Sequence, residues 1–311
     1  MEKIFITGGS GLLGANLTRM ASERFETYAA YHQHPVKIKN CKTFRMDITN
    51  PQEVIQTITK IRPELIIHTA ALTDVDYCED HHEAARSLNV DGTRNLAKAA
   101  EGTGAKFIYI STDSVFDGKR GMYSEEDTPN PLSYYAKTKL EGERLLEKLD
   151  LNYNIARTSI YGWNAQEKLS LAEWVIHGLQ NKKEMAMFTD VFFSPILVNN
   201  LAEALFEIYE RDLRGILNVA GAERCSKFHF GEKIAERFDL DKTKIKPISI
   251  DDFKNFKAPR PKDVSLDVSK AKKKLRTKLL DVEGGLVWMK ELFQKGYVQE
   301  LKKYVAESTR K

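Results

Sequence analysis

A glycine-rich turn directly behind a short apolar strand at the start of the chain narrows the fold more than any other feature. Residues 4–7 read as a strand, and TGGSGLLG follows, with Gly8, Gly11 and Gly14 leading into a helical stretch over 12–22. Glycine at these positions permits a tight turn, close approach of backbone to a phosphate, and near packing of helix on sheet. The first amides of the helix and its positive dipole end suit a pyrophosphate. An ordinary turn is the bland alternative; the place immediately after the first strand favours a nucleotide site.

The pattern then repeats. Residues 28–31, 43–46, 65–68 and 107–110 are further strand candidates, and 51–61, 82–101 and 134–149 carry the spaced apolar positions of helices, with Pro51 after Asn50 at a favoured helix start. Strand and helix in turn predict an α/β fold, a Rossmann-type doubly wound parallel sheet with right-handed crossovers. Residues 155–158 add a strand, 169–179 a helix, and the stretch to Pro195 reads as irregular; 197–209 and 216–219 resume helix and strand on the sheet. From Ala222 the chain is helical and lysine-rich, with 253–262 a loop and Lys270–Lys274 a solvated helix face. The expected division is a dinucleotide-binding domain from 1–162 and 196–221, and a smaller C-terminal substrate-binding lobe from 163–195 and 222–311.

Composition excludes several classes. A chain of 311 residues with 42% hydrophobic and 30% charged residues has ample core for one large α/β unit or two lobes. The net charge of +4 is small and the basic residues are dispersed, which argues against nucleic acid as a partner. Cys41, Cys78 and Cys225 form neither a CxxC pair nor a disulfide framework, which fits a reducing cytosol. The first residues run straight into a strand, leaving no room for a signal peptide, and no apolar run approaches the ~18 residues of a membrane span. A cytoplasmic protein with no membrane partner is expected.

Tyr135 and Lys139 stand four apart in the helical stretch, on one face. A cation beside a phenol favours the phenolate, so this pair makes a proton donor usable near neutrality. Thr112, in the STD triplet at a strand end, adds a short hydroxyl. With a dinucleotide fold, the three supply what carbonyl reduction by a nicotinamide needs. Asp47, Ala70 and Ala71 also fall at carboxyl ends of strands, where open α/β sheets bind ligands. His68 reads as a satisfied core histidine, His81 and His82 as solvent-facing, and no metal-ligand spacing is evident. The second strand ends in Tyr31-His32-Gln33-His34, with Lys37 and Lys39 beyond and no acid to grip ribose hydroxyls. That favours a 2′-phosphate, hence NADP(H), with NAD(H) as the alternative.

The phrases TGGSGLLG, MDITNP, IIHTAALTDVDYCE, LNVDGTRNLA, ISTDSVFDG, YSEEDTPNPLSYYAKTKLEGE and RPKDVSLD resemble the extended short-chain dehydrogenase/reductase superfamily, within it the dTDP-4-dehydrorhamnose reductase branch. The resemblance spans roughly residues 3 to 275. It implies that Tyr135 donates the proton, that Lys139 binds the nicotinamide ribose and tunes Tyr135, and that Thr112 hydrogen-bonds the substrate carbonyl. It implies cofactor contacts for Gly8, Gly11, Leu12, Leu13 and Gly14 in the turn, His32, Asp47 and Ile48 at the next strand ends, Ala70 and Ala71 after the fourth strand, and Asn89, which supports the active-site helix. Asp113 and Val115 are substrate-adjacent in the resemblance, and Arg260 meets the nucleotide part of the substrate. Two departures are Ser114, where the family often has a ring, and Trp163-Asn164-Ala165, in place of an asparagine-phenylalanine pair expected to face sugar or diphosphate.

The activity implied is NADPH-dependent reduction of a nucleoside-diphosphate 4-keto-6-deoxy sugar, a step of dTDP-rhamnose biosynthesis. The regulatory subunit of methionine adenosyltransferase resembles the same branch, so a non-catalytic NADP-binding role is one rival; a sugar-nucleotide epimerase is another. By analogy with the superfamily, helices over 82–101 and 134–149 would pair subunits into a homodimer.

Overall fold

The structure, a computed structural model, describes residues 1–309. Seven parallel strands form the central sheet: β1 (Lys3–Thr7), β2 (Glu26–Tyr31), β3 (Cys41–Arg45), β4 (Leu65–His68), β5 (Lys106–Thr112), β6 (Tyr153–Thr158) and the strand Gly215–Asn218. Their spatial order is Gly215–Asn218, β6, β5, β4, β1, β2, β3. β1 pairs with β2 on one side and β4 on the other, so the winding reverses there and a crevice opens above their carboxyl ends. Ile4, Phe5, Ile6, Leu65, Ile66 and Ile67 are each at most 1% exposed, as strands covered on both faces require.

Helices α1 (Leu12–Ala21), α2 (Pro51–Ile61), α3 (Val75–Asp80), α4 (His82–Arg86), α5 (Gly92–Thr103) and α6 (Tyr134–Leu146) flank the sheet. On one face Leu13 and Leu17 of α1 share a core with Leu201 and Leu205 of the helix Val198–Glu210. On the other, Val54 and Ile58 of α2 meet Leu96 and Ala100 of α5. α2 starts where the Asn50 side chain accepts the amides of Gln52 and Glu53, with Pro51 at the first helical position.

Two expectations are corrected. The helix anticipated over 82–101 is α4, a π-helical turn at Ser87–Asp91, and α5. The widened turn lies where the Asn89 side chain bonds to neighbouring elements. The stretch before Pro195, read as irregular, holds Met185–Phe188, parallel to Ile245–Ile248, and Phe192–Phe193, antiparallel to Cys225–Ser226. Strands of two to four residues are too short to show alternation, and their partners lie far along the chain. With the helices Leu171–Gln180 and Lys227–Arg237 they bury Met185, Met187 and Phe230 in a second core that also takes in Ala15 of α1 and Val36 and Ile38 beyond β2. Residues 253–262 are a loop, as expected. Among the described residues no helix is long and apolar enough to cross a membrane.

Candidate active site

At the carboxyl end of β1 the backbone packs as tightly as glycine allows. Gly8 has a φ of 66°, and a Cβ on it would lie 2.8 Å from the Ala70 amide nitrogen. A Cβ on Gly14 would stand 2.0 Å from the Gly8 carbonyl oxygen, whereas one on Gly11 would meet only that oxygen, at 3.3 Å. Gly11 thus leaves open space over the start of α1. The helix begins with no side-chain cap and no acid in its first turn, so its free amides and dipole fit a pyrophosphate.

The other expected cofactor residues divide. Leu12, Ala70 and Ala71 are half-buried along the crevice. Leu13 and Ile48 are only 4% and 5% exposed and point into the cores beneath, so they can offer main chain but no side chain. Asp47 accepts from the Thr49 amide at 2.9 Å and its hydroxyl at 2.7 Å. Burial works to raise its pKa, but the Thr49 bonds and the charges of His32 and Arg45 prevail and hold it below the ordinary value. His32 is exposed and its Nε2 lies 3.4 Å from Nη2 of Arg45. Sequence reasoning missed Arg45, which pairs with Tyr31 in the β2–β3 register and so reaches the end of β2 from the next strand.

His68 is 1% exposed and links two parts of the crevice. The Ala70 amide donates to Thr7 Oγ1, which lies 2.7 Å from His68 Nδ1; His68 Nε2 lies 3.0 Å from Thr93 Oγ1, and Thr93 donates to the Asn89 carbonyl. Because the Thr93 proton is already committed, Nε2 carries the imidazole proton and Nδ1 accepts from Thr7. Burial, with the nearby Lys139 charge, lowers the His68 pKa to about 3. It is the satisfied core histidine expected.

Asn89 lies in the π-turn. Its Oδ1 accepts from the Leu72 amide at 2.8 Å, and its Nδ2 donates to the Leu72 carbonyl at 3.1 Å and to Thr138 Oγ1 at 2.9 Å. One side chain thereby ties the loop after β4 to α6.

Ser133 caps α6 by accepting from the Ala136 amide, and Tyr135 follows in the first turn. The Tyr135 hydroxyl interacts with that of Thr112, which ends β5. Thr112 accepts from the Ser114 amide at 3.2 Å and donates to Asp113 at 3.1 Å. Burial first, and then the Asp113 charge, hold Tyr135 above the usual phenol range. The bond from the Thr112 hydroxyl opposes that rise. The Lys139 ammonium lies over the Tyr109 ring, 4.0 Å from its centre, and burial brings it down to about 7 against the opposing charge of Glu143. Glu143, another residue given no role from sequence, forms a buried pair with Arg157 of β6 at 2.7 Å and accepts from Ser111 Oγ.

A cavity of about 500 Å³ is lined by Asp117, Leu132, Phe192, Arg224, Arg260 and Lys262 among others. Arg260 thus lies on a cleft, where it pairs with Asp76 at 3.0 Å. Asp113 is buried; desolvation raises its pKa, opposed by the charge of Lys227 and by bonds from Ser159, Thr112 and Ser114. Lys227, unremarked in the sequence, sits 3.4 Å from the centre of the Phe193 ring and is brought down to about 8 by burial, against Asp113. Val115 is fully buried beside Phe116, so its side chain faces core rather than crevice. Trp163 is likewise turned inward, against Phe238 and Phe293, with its indole nitrogen donating to the Met289 carbonyl; Asn164 donates to the Lys168 carbonyl. Their expected place facing sugar or diphosphate is therefore corrected: both build the packing of the segment that follows β6. Among the described residues no His/Cys/Asp/Glu group could hold a metal ion.

A parallel sheet reversing at β1, a glycine turn there, and a tyrosine and lysine on the helix beside a threonine-ended strand define an extended short-chain dehydrogenase/reductase. The chain belongs to the family of the RmlD substrate binding domain, whose profile matches residues 1–293. The crystal structure of a hypothetical dTDP-4-dehydrorhamnose reductase from Sulfolobus tokodaii is 37% identical, covers 91% of this chain and 99% of its own, and superposes with a TM-score of 0.81. That of dTDP-4-dehydrorhamnose reductase from Bacillus anthracis in complex with NADP is 30% identical over 93% of this chain and 99% of its own, with a TM-score of 0.83. The bovine methionine adenosyltransferase 2 subunit beta is 31% identical over 86% of this chain and 81% of its own length. These likenesses support an oxidoreductase of the sugar-nucleotide type that takes a nicotinamide cofactor.

Proposed function

We propose that the chain reduces the C4 ketone of a 4-keto-6-deoxy sugar carried on a nucleoside diphosphate, with NADPH, as a dTDP-4-dehydrorhamnose reductase does. The observation that carries the reading is the meeting of the Tyr135 and Thr112 hydroxyls at the end of β5, with Lys139 one turn further along α6. A nicotinamide held over the glycine turn would supply the hydride that forms the new C–H bond at the carbonyl carbon. As that C–H bond forms, the carbonyl π pair moves to oxygen, which takes the Tyr135 proton; solvent later restores the phenol. Thr112 turns its proton from Asp113 to the same oxygen, stabilising the charge that develops there. Lys139 stabilises the phenolate left behind and holds the nicotinamide ribose.

His32 just after β2, where no acid stands, and Arg45 at the end of β3 beside it support the choice of NADPH. Arg260 and Lys262 on the cleft supply cations for a diphosphate, in a lobe taken as 163–195 and 222–311. The test is to follow NADPH absorbance while presenting dTDP-4-keto-6-deoxy sugars, with NADH in parallel. Consumption of NADPH supports the reading. Binding of NADP(H) without turnover, and co-purification with a synthetase, would favour a regulatory role, the reading that likeness to the bovine beta subunit keeps in view. Retention of oxidised NAD through purification would favour an epimerase.

A further inference from the structure

The cation that should greet an anionic substrate is already engaged. Nη2 of Arg260 lies 3.0 Å from Asp76 Oδ1, its Nη1 donates to the Ala258 carbonyl, and its guanidinium covers the Phe256 ring at 4.6 Å. Asp76 belongs to α3, just after the crevice loop of β4, whereas Arg260 belongs to the loop over 253–262. The same Oδ1 also accepts the amides of Lys257 at 3.1 Å and Ala258 at 2.9 Å, and Lys257 pairs with Asp80 one turn on. Three donors from one loop therefore converge on one carboxylate oxygen.

We propose that Asp76 is an intramolecular competitor for the substrate's diphosphate. It holds Arg260 on the cleft and gives it up when a nucleoside diphosphate binds, while the two amide bonds keep the loop in place. The inference rests on the reading of the substrate given above. The pair is fit for exchange, because its side chains are 21% and 32% exposed and such pairs are weak. A diphosphate brings more charge than one carboxylate and offers oxygens for bidentate contact. The competitor sets a threshold: an anion with a single charge gains little by displacing Asp76, whereas a diphosphate gains much.

Asp76→Asn is the discriminating variant, since its amide oxygen can still accept from Lys257 and Ala258 while the charge is gone. dTDP is titrated calorimetrically into NADP⁺-saturated protein at low ionic strength. Asp76→Asn should bind dTDP about threefold more tightly than the unmutated chain, Asp76→Glu should bind as the unmutated chain does, and Arg260→Ala should bind more weakly. On the Arg260→Ala background, Asp76→Asn should add nothing. Thermal unfolding of each variant shows that it is folded. Unchanged or weaker binding by folded Asp76→Asn overturns the proposal, as does a gain that persists without Arg260. Failure of the unmutated chain to bind dTDP or UDP would instead sink the nucleotide-sugar reading itself.

Discussion

Asn89 Nδ2 donates to Thr138 Oγ1 at 2.9 Å, and through this bond the π-turn after α4 grips the helix that carries Tyr135. Thr138 in turn donates to the Tyr135 carbonyl at 2.7 Å. Replacing Asn89 by alanine strands the amide and carbonyl of Leu72 as well as the Thr138 contact. The expected cost is about 2 kcal/mol of stability, read from urea unfolding, with a larger loss of turnover than of NADPH affinity because α6 and the crevice loop lose their tie.

Removing one oxygen isolates the acid. Tyr135→Phe should leave the NADPH dissociation constant nearly unchanged and lower kcat by at least ~100-fold, the range that a positioned proton donor supplies. Fluorescence titration of NADPH and steady-state turnover make the comparison; undiminished turnover refutes the assignment.

Acid should weaken the fold through His68. Its pKa falls from 6.5 to about 3 on folding, so between those values the unfolded chain takes up a proton that the folded chain refuses. Stability from this group is intact above pH 6.5 and drains away as the pH falls toward 3, by up to roughly 1.4 kcal/mol per pH unit. Against His68→Gln, which does not titrate, the stability gap measured in urea should narrow by about 1 kcal/mol per unit between pH 6 and pH 4. A constant gap across that range contradicts a neutral buried imidazole.

Cofactor choice should follow Arg45. If a 2′-phosphate sits between Arg45 and His32, Arg45→Ala loses a charge-assisted bond and the KM for NADPH rises roughly tenfold, with that for NADH unmoved. Equal effects on both cofactors would place the phosphate elsewhere.

Much of this was legible in residues close together in the chain. The turn at Gly8–Gly14 and the strands at 65–68 and 107–110 advertise themselves by local pattern, and so does the tyrosine–lysine spacing on α6. What stayed hidden depends on pairing at a distance. Arg45 reaches His32 only because β2 and β3 align Tyr31 with Arg45, and Lys227 meets Asp113 only after more than a hundred intervening residues fold back. The π-turn escaped because one residue more per turn scarcely disturbs apolar spacing over a short helix. Trp163 misled because it stands where the resemblance puts an asparagine-phenylalanine pair facing sugar or diphosphate, whereas its ring packs against Phe238 and Phe293.

The buried pair between Glu143 and Arg157 has a mechanical meaning. Tyr135, Lys139 and Glu143 recur every four residues along α6, so the carboxylate lies on the same stripe as the phenol and the ammonium. Rolling the helix by one residue, about 100°, would pull Glu143 from Arg157 and abandon two charges in a dry interior, at a penalty of about 3–5 kcal/mol. The bolt therefore permits α6 a single rotational setting, and the directions of Tyr135 and Lys139 are fixed with it.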